Sequence, residues 1–159
     1  MDEQYFGIVS RRSGMTKHIL VPLDGSESAW DALTYVFEHY DGERITVVHV
    51  VDPAEGIYAG SDGGYYDSTA FDRARERGET LCEQAKERLE DGEYASSTVL
   101  ETVVETGRPS QTILRVADEH DVDQIVMGSH GRSGVSRLLL GSVAETVTRR
   151  AAVPVTIVR

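Results

Sequence analysis

The sequence predicts an α/β fold: a single open five-stranded parallel sheet with helices on both faces, Rossmann-like in layout. Three observations lead there. Short apolar runs alternate with stretches of helical period, the βαβα order of a parallel sheet. The second run, ITVVHVV over Ile45–Val51, is rich in β-branched residues without strict alternation, as is typical of strands buried on both faces. A glycine-rich segment, GSHGRSGVSRLLLGS over Gly128–Ser142, stands between the end of one strand and the start of a helix. With 159 residues, 40% of them apolar, the chain is long enough for one domain with a real core.

The elements follow in order. Residues 1–14 look separate from the rest and are expected to be a poorly ordered extension, with the domain running from Met15 to Arg159. His18 to Leu23 reads as the first strand and ends at Asp24 and Gly25. Ala29, Leu33, Val36, Phe37 and Tyr40 then recur at helical spacing, with Ser26 or Ser28 as N-cap. After the Ile45–Val51 strand comes Asp52–Ser68, rich in Gly, Asp and Tyr and without clear period. It is expected to be a mobile, solvated loop, with Tyr58, Tyr65 and Tyr66 available to close over a ligand or pack on a partner. Phe71, Ala74, Gly78, Leu81, Ala85 and Leu89 trace one stripe of a long charged helix. Thr98 to Val104 is the third strand; Gly107 and Pro109 punctuate; Ile113, Leu114 and Ala117 mark a third helix. Gln124 to Met127 is the fourth strand, Ser142 to Arg150 the last helix, and Val153, Val155 and Ile157 alternate in a final strand.

Charge and composition exclude several functions. The net charge is −11, and the basic residues are scattered, which argues against duplex DNA or RNA as partner. Lysine occurs only at Lys17 and Lys86. An acidic, lysine-poor surface is what is expected of a protein working in concentrated salt, where self-repulsion is screened. No apolar run approaches the roughly 20 residues that span a bilayer, and the first residues lack a secretory core, so a soluble, cytoplasmic protein is expected. Cys82, alone, has no internal disulfide partner and reads as a small apolar residue on a helix face. There is no G-x-x-x-x-G-K-[ST], no G-x-G-x-x-G after the first strand and no His/Cys cluster with metal spacing.

The chemistry concentrates at the carboxyl ends of strands, where open parallel sheets bind ligands. Asp24, the end of the Ile45–Val51 strand and Gly128 all lie there. Glycine lets backbone approach a ligand closely, and the Gly141–Ser142 pair opening a helix offers free N–H groups, a hydroxyl and the positive end of the helix dipole. These are the parts of a phosphate site and suggest a bound nucleotide. Asp24 is read as a ligand-side residue, with a helix-capping role as the alternative. His130 is expected to contribute its backbone rather than act as a base, and His49 to be a hydrogen-bonded core residue.

Taken together, KHILVPLDGSESA, VVHVVD and IVMGSHGRSG…LLLGSVAETV make the chain resemble the universal stress protein family, in its ATP-binding branch, over essentially all of Met15–Arg159. The family motif is G-x-x-G, nine residues, then G-[ST]; here it is Gly128, Gly131, Arg132–Leu140, Gly141 and Ser142. The resemblance implies strand order 3-2-1-4-5, ATP as ligand, Mg²⁺ arriving with it, and a homodimer through the last strand, Val153 to Val158. It places Pro22, Leu23 and Asp24 beside the adenosine and Val50 at the adenine, read by its backbone. Gly128 and its neighbours Met127, Ser129 and His130 would meet ribose and phosphates. Gly131, Gly141, Ser142 and Val143 would cradle the β- and γ-phosphates, with Arg132 or Arg137 as a source of positive charge. Ala144 stands where a Thr would add another hydroxyl. The implied function is that of a regulatory ATP-binding stress-response protein with an unidentified protein partner. The alternatives are a slow ATPase or autokinase, with no catalytic residue assigned and Ser133, Ser136 or Ser142 as acceptor, and a nucleotide-free interaction module.

Overall fold

Strands form where β-branched and leucine residues cluster, and helices where apolar residues recur at three and four. The computed structural model describes residues 16–60, 63–94, 97–131 and 139–159. The sheet contains β1 (His18–Pro22), β2 (Arg44–Val51), β5 (Val99–Thr106), β6 (Gln124–Gly128) and β7 (Val155–Val158). Its helices are α1 (Glu27–His39), α2 (Ser68–Asp91), α3 (Pro109–Glu119) and α4 (Ser142–Arg150). All neighbouring strands are parallel, in the order β5-β2-β1-β6-β7. Counting only these five strands in chain order, that is 3-2-1-4-5, as expected. The expected extension 1–14 lies outside the described residues.

Strand alternation divides the core into two layers. Ile19, Val21, Ile45 and Val47 face α1 and α2 and pack with Leu33, Val36, Phe37 and Ala85. Leu20, Val48, Ile125 and Met127 face the other way and pack with Ile113, Val116 and Val147 of α3 and α4. Each fully buried Leu, Ile or Val contributes about 1.5–3 kcal/mol through lost water contact, which is why these runs fix the sheet. At the opposite end of the sheet from the strand carboxyl ends, His18 is buried and fully satisfied. Its Nδ1–H donates to the His120 carbonyl (3.0 Å), and its Nε2 accepts from the Thr46 hydroxyl (2.7 Å). Burial first, then the Arg44 charge, holds its pKa below the ordinary 6.5.

The region after β2 corrects the expectation of a structureless loop. A short 3₁₀ turn, Pro53–Gly56, is capped by Asp52, whose carboxylate accepts the Ala54 N–H at 2.9 Å. An antiparallel ribbon follows, β3 (Ile57–Gly60) with β4 (Gly63–Tyr66), pairing Ile57 with Tyr66 and Tyr58 with Tyr65. Four-residue strands give too few repeats for a period to stand out. The ribbon is solvated, as expected: Ile57, Tyr65 and Tyr66 are exposed. Tyr66 lies over Gly56, where a Cβ would come within 2.6 Å of the ring, so the glycine lets the ribbon fold back on the turn.

Candidate functional site

β1 stops early, and that opens the site. Beyond Pro22 the chain turns into α1 through Asp24 and Gly25 (φ +86°), while β2 runs on to Val51 beside β5. A cleft of about 470 Å³ fills the gap at the carboxyl ends of β1, β2 and β6. Of the residues expected there, Pro22, Leu23, Asp24, Val50, Met127, Gly128, His130, Gly131, Gly141, Ser142 and Val143 all line it. Arg132, with Arg137, Ser133 and Ser136, lies outside the described residues. Ser129 does not line the cleft: it is buried beneath it, its N–H on the Val158 carbonyl (2.9 Å) and its own carbonyl accepting the Gly141 N–H (2.7 Å). Its part is to hold the start of α4 against the end of β6.

On the β2 side the cleft is walled by peptide edge. The ladder of β1 with β2 ends at the pair Pro22–Val48, with Leu23 N–H donating to the Val48 carbonyl at 2.9 Å. On the other edge of β2, the Val51 carbonyl accepts the Gly107 N–H at 3.0 Å. Successive residues of a strand aim their backbone groups to opposite sides. Val50 N–H and C=O therefore point, like those of Val48, toward the missing continuation of β1. Neither has a partner among the described residues. The result is a donor and an acceptor, side by side, open to the cleft.

On the β6 side the cleft is walled by helix N-terminus. Gly141 is the N-cap of α4 and carries no side-chain cap. The amides of Ser142, Val143 and Ala144 have no hydrogen-bond partner among the described residues. Such amides, with the helix dipole behind them, suit an anion. The Ala144 side chain is packed in the core, so this position offers the cleft its backbone. Gly141 has little room for a side chain: a Cβ would stand 3.1 Å from His130 Cα.

The remaining positions sort themselves by contact. Ser26, not Asp24, is the N-cap of α1, accepting the Ala29 N–H. Asp24 Oδ1 accepts the Ser26 N–H at 2.9 Å, which fixes the carboxylate at the cleft floor, and Oδ2 lies 3.0 Å from where a Cβ on Gly131 would be. His130 is held by both backbone and ring: its carbonyl accepts from Ser28 Oγ at 2.6 Å, and its Nδ1 meets Ser129 Oγ at 2.9 Å. Gly128 lines the cleft and also packs against α1. The space its missing Cβ leaves is filled not by ligand but by α1, with Ser28 Oγ at 2.4 Å and Ala29 N at 2.8 Å from the Cβ position. Glycine is needed there so that the first turn of α1 can reach the strand end. His49 is the hydrogen-bonded core residue expected, its Nδ1–H donating to the Leu23 carbonyl at 2.7 Å.

Several lining residues had no prior signal as site residues. Asp52, Ala54 and Glu55 come from the 3₁₀ turn, Pro109 and Ile113 from the start of α3, and Ser26 and Ala29 from α1. An Asp-Pro step at the end of β2 and a Pro two residues after Gly107 are the only hints, both marking turns at strand carboxyl ends. The charged side chains lining the cleft among the described residues are Asp24, Asp52 and Glu55, all acidic. No group of three His, Cys, Asp or Glu among the described residues is placed to hold a metal ion. A divalent cation fits here only as the companion of a polyanion, shared between its oxygens, water and such carboxylates.

A family model described as the Universal stress protein family matches residues 15–159. Universal stress protein MJ0577 of Methanocaldococcus jannaschii is 32% identical, over 92% of this chain and 97% of its own. The solved structure of MJ0577 superposes with a TM-score of 0.73 at 30% identity, covering 91% of this chain and 96% of that one. Universal stress protein UspA from Lactobacillus plantarum has a TM-score of 0.75 at 25% identity, covering 92% and 100%. The universal stress protein from Archaeoglobus fulgidus in complex with dAMP has a TM-score of 0.60 at 20% identity, covering 91% and 98%, a likeness of fold.

Proposed function

The chain belongs to the universal stress protein family, and we propose that within it this protein is a regulatory binder of ATP with Mg²⁺. The observation that carries the reading is the pairing of two unlike walls in one cleft. The open Val50 peptide suits the edge of a planar base that alternates donor and acceptor, as adenine does at N6 and N1. The free amides of α4 suit phosphate oxygens. A fold of this kind holds a nucleotide in the Archaeoglobus protein.

Electrostatics calls for the metal. Among the described residues three acidic side chains and no Lys or Arg line the cleft, and the chain's net charge is −11, so a bare triphosphate meets repulsion there. Mg²⁺ held by the phosphates and water removes most of it. The 3₁₀ turn joins the cleft to the β3–β4 ribbon, so nucleotide contact at Asp52–Glu55 biases the ribbon's position toward whichever state it touches better. A second copy adds along β7, an edge strand whose residues are all half-buried, giving a homodimer.

The test is titration calorimetry of the full chain with Mg-ATP in high salt, beside mass spectrometry of nucleotide released on denaturation. Saturable binding at millimolar ATP or tighter is expected, weakened when EDTA removes the metal. A protein that carries no nucleotide and gives no heat with Mg-ATP at millimolar concentration overturns the reading.

A further inference from the structure

We propose that His49 is a positioning residue for the base-reading edge of the cleft: it takes the carbonyl that would otherwise close that edge. The inference rests on the nucleotide reading above. In a parallel ladder each rung is set by the one before it. After Leu23 N–H has bonded the Val48 carbonyl, the next bond would run from Val50 N–H to the Leu23 carbonyl. That bond is absent, and the Leu23 carbonyl instead accepts the Nδ1–H of His49 at 2.7 Å. Because a carbonyl only accepts, Nδ1 carries the proton. The imidazole thus satisfies Leu23, lets β1 leave the sheet at Asp24, and keeps the Val50 amide for a ligand.

The surroundings are built for the ring. His49 is 4% exposed, and α2 places Gly78 against it. A glycine inside a helix destabilises it relative to alanine. Here a Cβ at 78 would stand 2.3 Å from His49 Cδ2, so the ring keeps its seat only beside glycine. Nε2 makes no hydrogen bond with the described residues. His49 also lines a second cleft, between α2 and the β1–α1 turn, which Val50 does not line. The nitrogen that bears on the base-reading edge is Nδ1.

Asparagine keeps a donor at the δ position and drops the ε nitrogen; glutamine moves its amide out to ε; leucine removes both. Calorimetry would compare ATP with inorganic tripolyphosphate, which has phosphates and no base, on the wild-type chain and on His49→Leu, His49→Asn and His49→Gln. Amide exchange by NMR would follow Val50 in each without nucleotide. Loss of one hydrogen bond to the base is expected to weaken ATP about tenfold in His49→Leu and His49→Gln. Tripolyphosphate binding should stay unchanged, and His49→Asn should stay close to wild type. Val50 exchange should slow in the Leu and Gln variants, as the ladder extends by one rung. Equal ATP affinity in wild type and a folded His49→Gln, or equal losses in the Asn and Gln variants, overturns the role of Nδ1. If His49→Leu does not fold, the Asn and Gln pair decides. A wild-type chain that binds no ATP defeats the nucleotide reading instead, and Val50 exchange in the nucleotide-free variants still decides whether His49 holds the edge open.

Discussion

The β2 side and the β6 side of the cleft are made of the same material, unpaired backbone, arrived at in opposite ways. On the β6 side the open amides belong to a helix that has just begun, and every helix begins with them. What makes this N-terminus a site is that nothing among the described residues caps it, which depends on Gly141 and on the Ser129 carbonyl that holds it. On the β2 side the open groups belong to a strand that outruns its neighbour. The first arrangement is spelled by glycines at fixed spacing. The second leaves Val50 looking like any residue of an apolar strand. Absence of a side chain writes a motif; absence of a neighbouring strand does not.

Substitutions on each side sharpen this contrast. The largest effect is expected at Gly128, where the two sides share a support. Gly128→Ala puts a methyl into the first turn of α1 and should destabilise the fold by about 1–3 kcal/mol, read as a lower melting temperature with or without ATP. A variant melting like wild type would mean that α1 yields and that the fold does not depend on the glycine. Next is Ser142→Pro. Proline suits the first helical position, and the φ −63°, ψ 157° of Gly141 suits the residue before it. The change removes one amide and one hydroxyl from the anion wall, so ATP and tripolyphosphate should both weaken about tenfold while stability holds. Weakening of ATP alone would break the division of labour between the walls.

A smaller effect concerns acid and lies away from both walls. His18 is neutral in the fold, with its pKa held below 6.5 by burial and then by Arg44. As pH falls through 6.5 the unfolded chain takes the proton first. Stability is therefore intact above that pH and declines from there down to the lower folded pKa, below which this contribution levels off. Chemical denaturation across that range should show the decline, and His18→Gln should flatten it. An equal slope in the variant would assign the loss to other groups. The smallest effect is expected from Val50→Thr, which keeps a β-branched strand residue and an unchanged peptide. ATP affinity should move by no more than about twofold, well under the worth of a hydrogen bond. A large loss would mean that the side chain, rather than the peptide, meets the base.

These differences explain what could be read from the chain beforehand. The sheet was legible because Ile19, Leu20 and Val21, and again Val47 and Val48, are apolar on consecutive residues, a pattern that a doubly covered strand needs. The order of its strands came through the family resemblance, carried by the glycine motif. Gly131, Gly141 and Ser142, which line the cleft, stood out in the sequence for the same reason. Asp52, Glu55 and Pro109 were not, since they reach the cleft only through the direction a loop takes after tertiary packing. The β3–β4 ribbon escaped notice because four residues a strand carry little period. At Gly128 the sequence shows a glycine at the cleft, and only packing shows that Ser28 is what a Cβ there would meet.

Cys82 offers a practical use of the fold. It is 3% exposed, and burial pushes its thiol pKa up, so the reactive thiolate is scarce and shielded. A thiol-directed dye should pass it by. Tyr65→Cys, on the exposed face of the ribbon, then gives the chain one addressable handle without first removing the native cysteine. Fluorescence from that handle would report the ribbon's response to nucleotide as it happens.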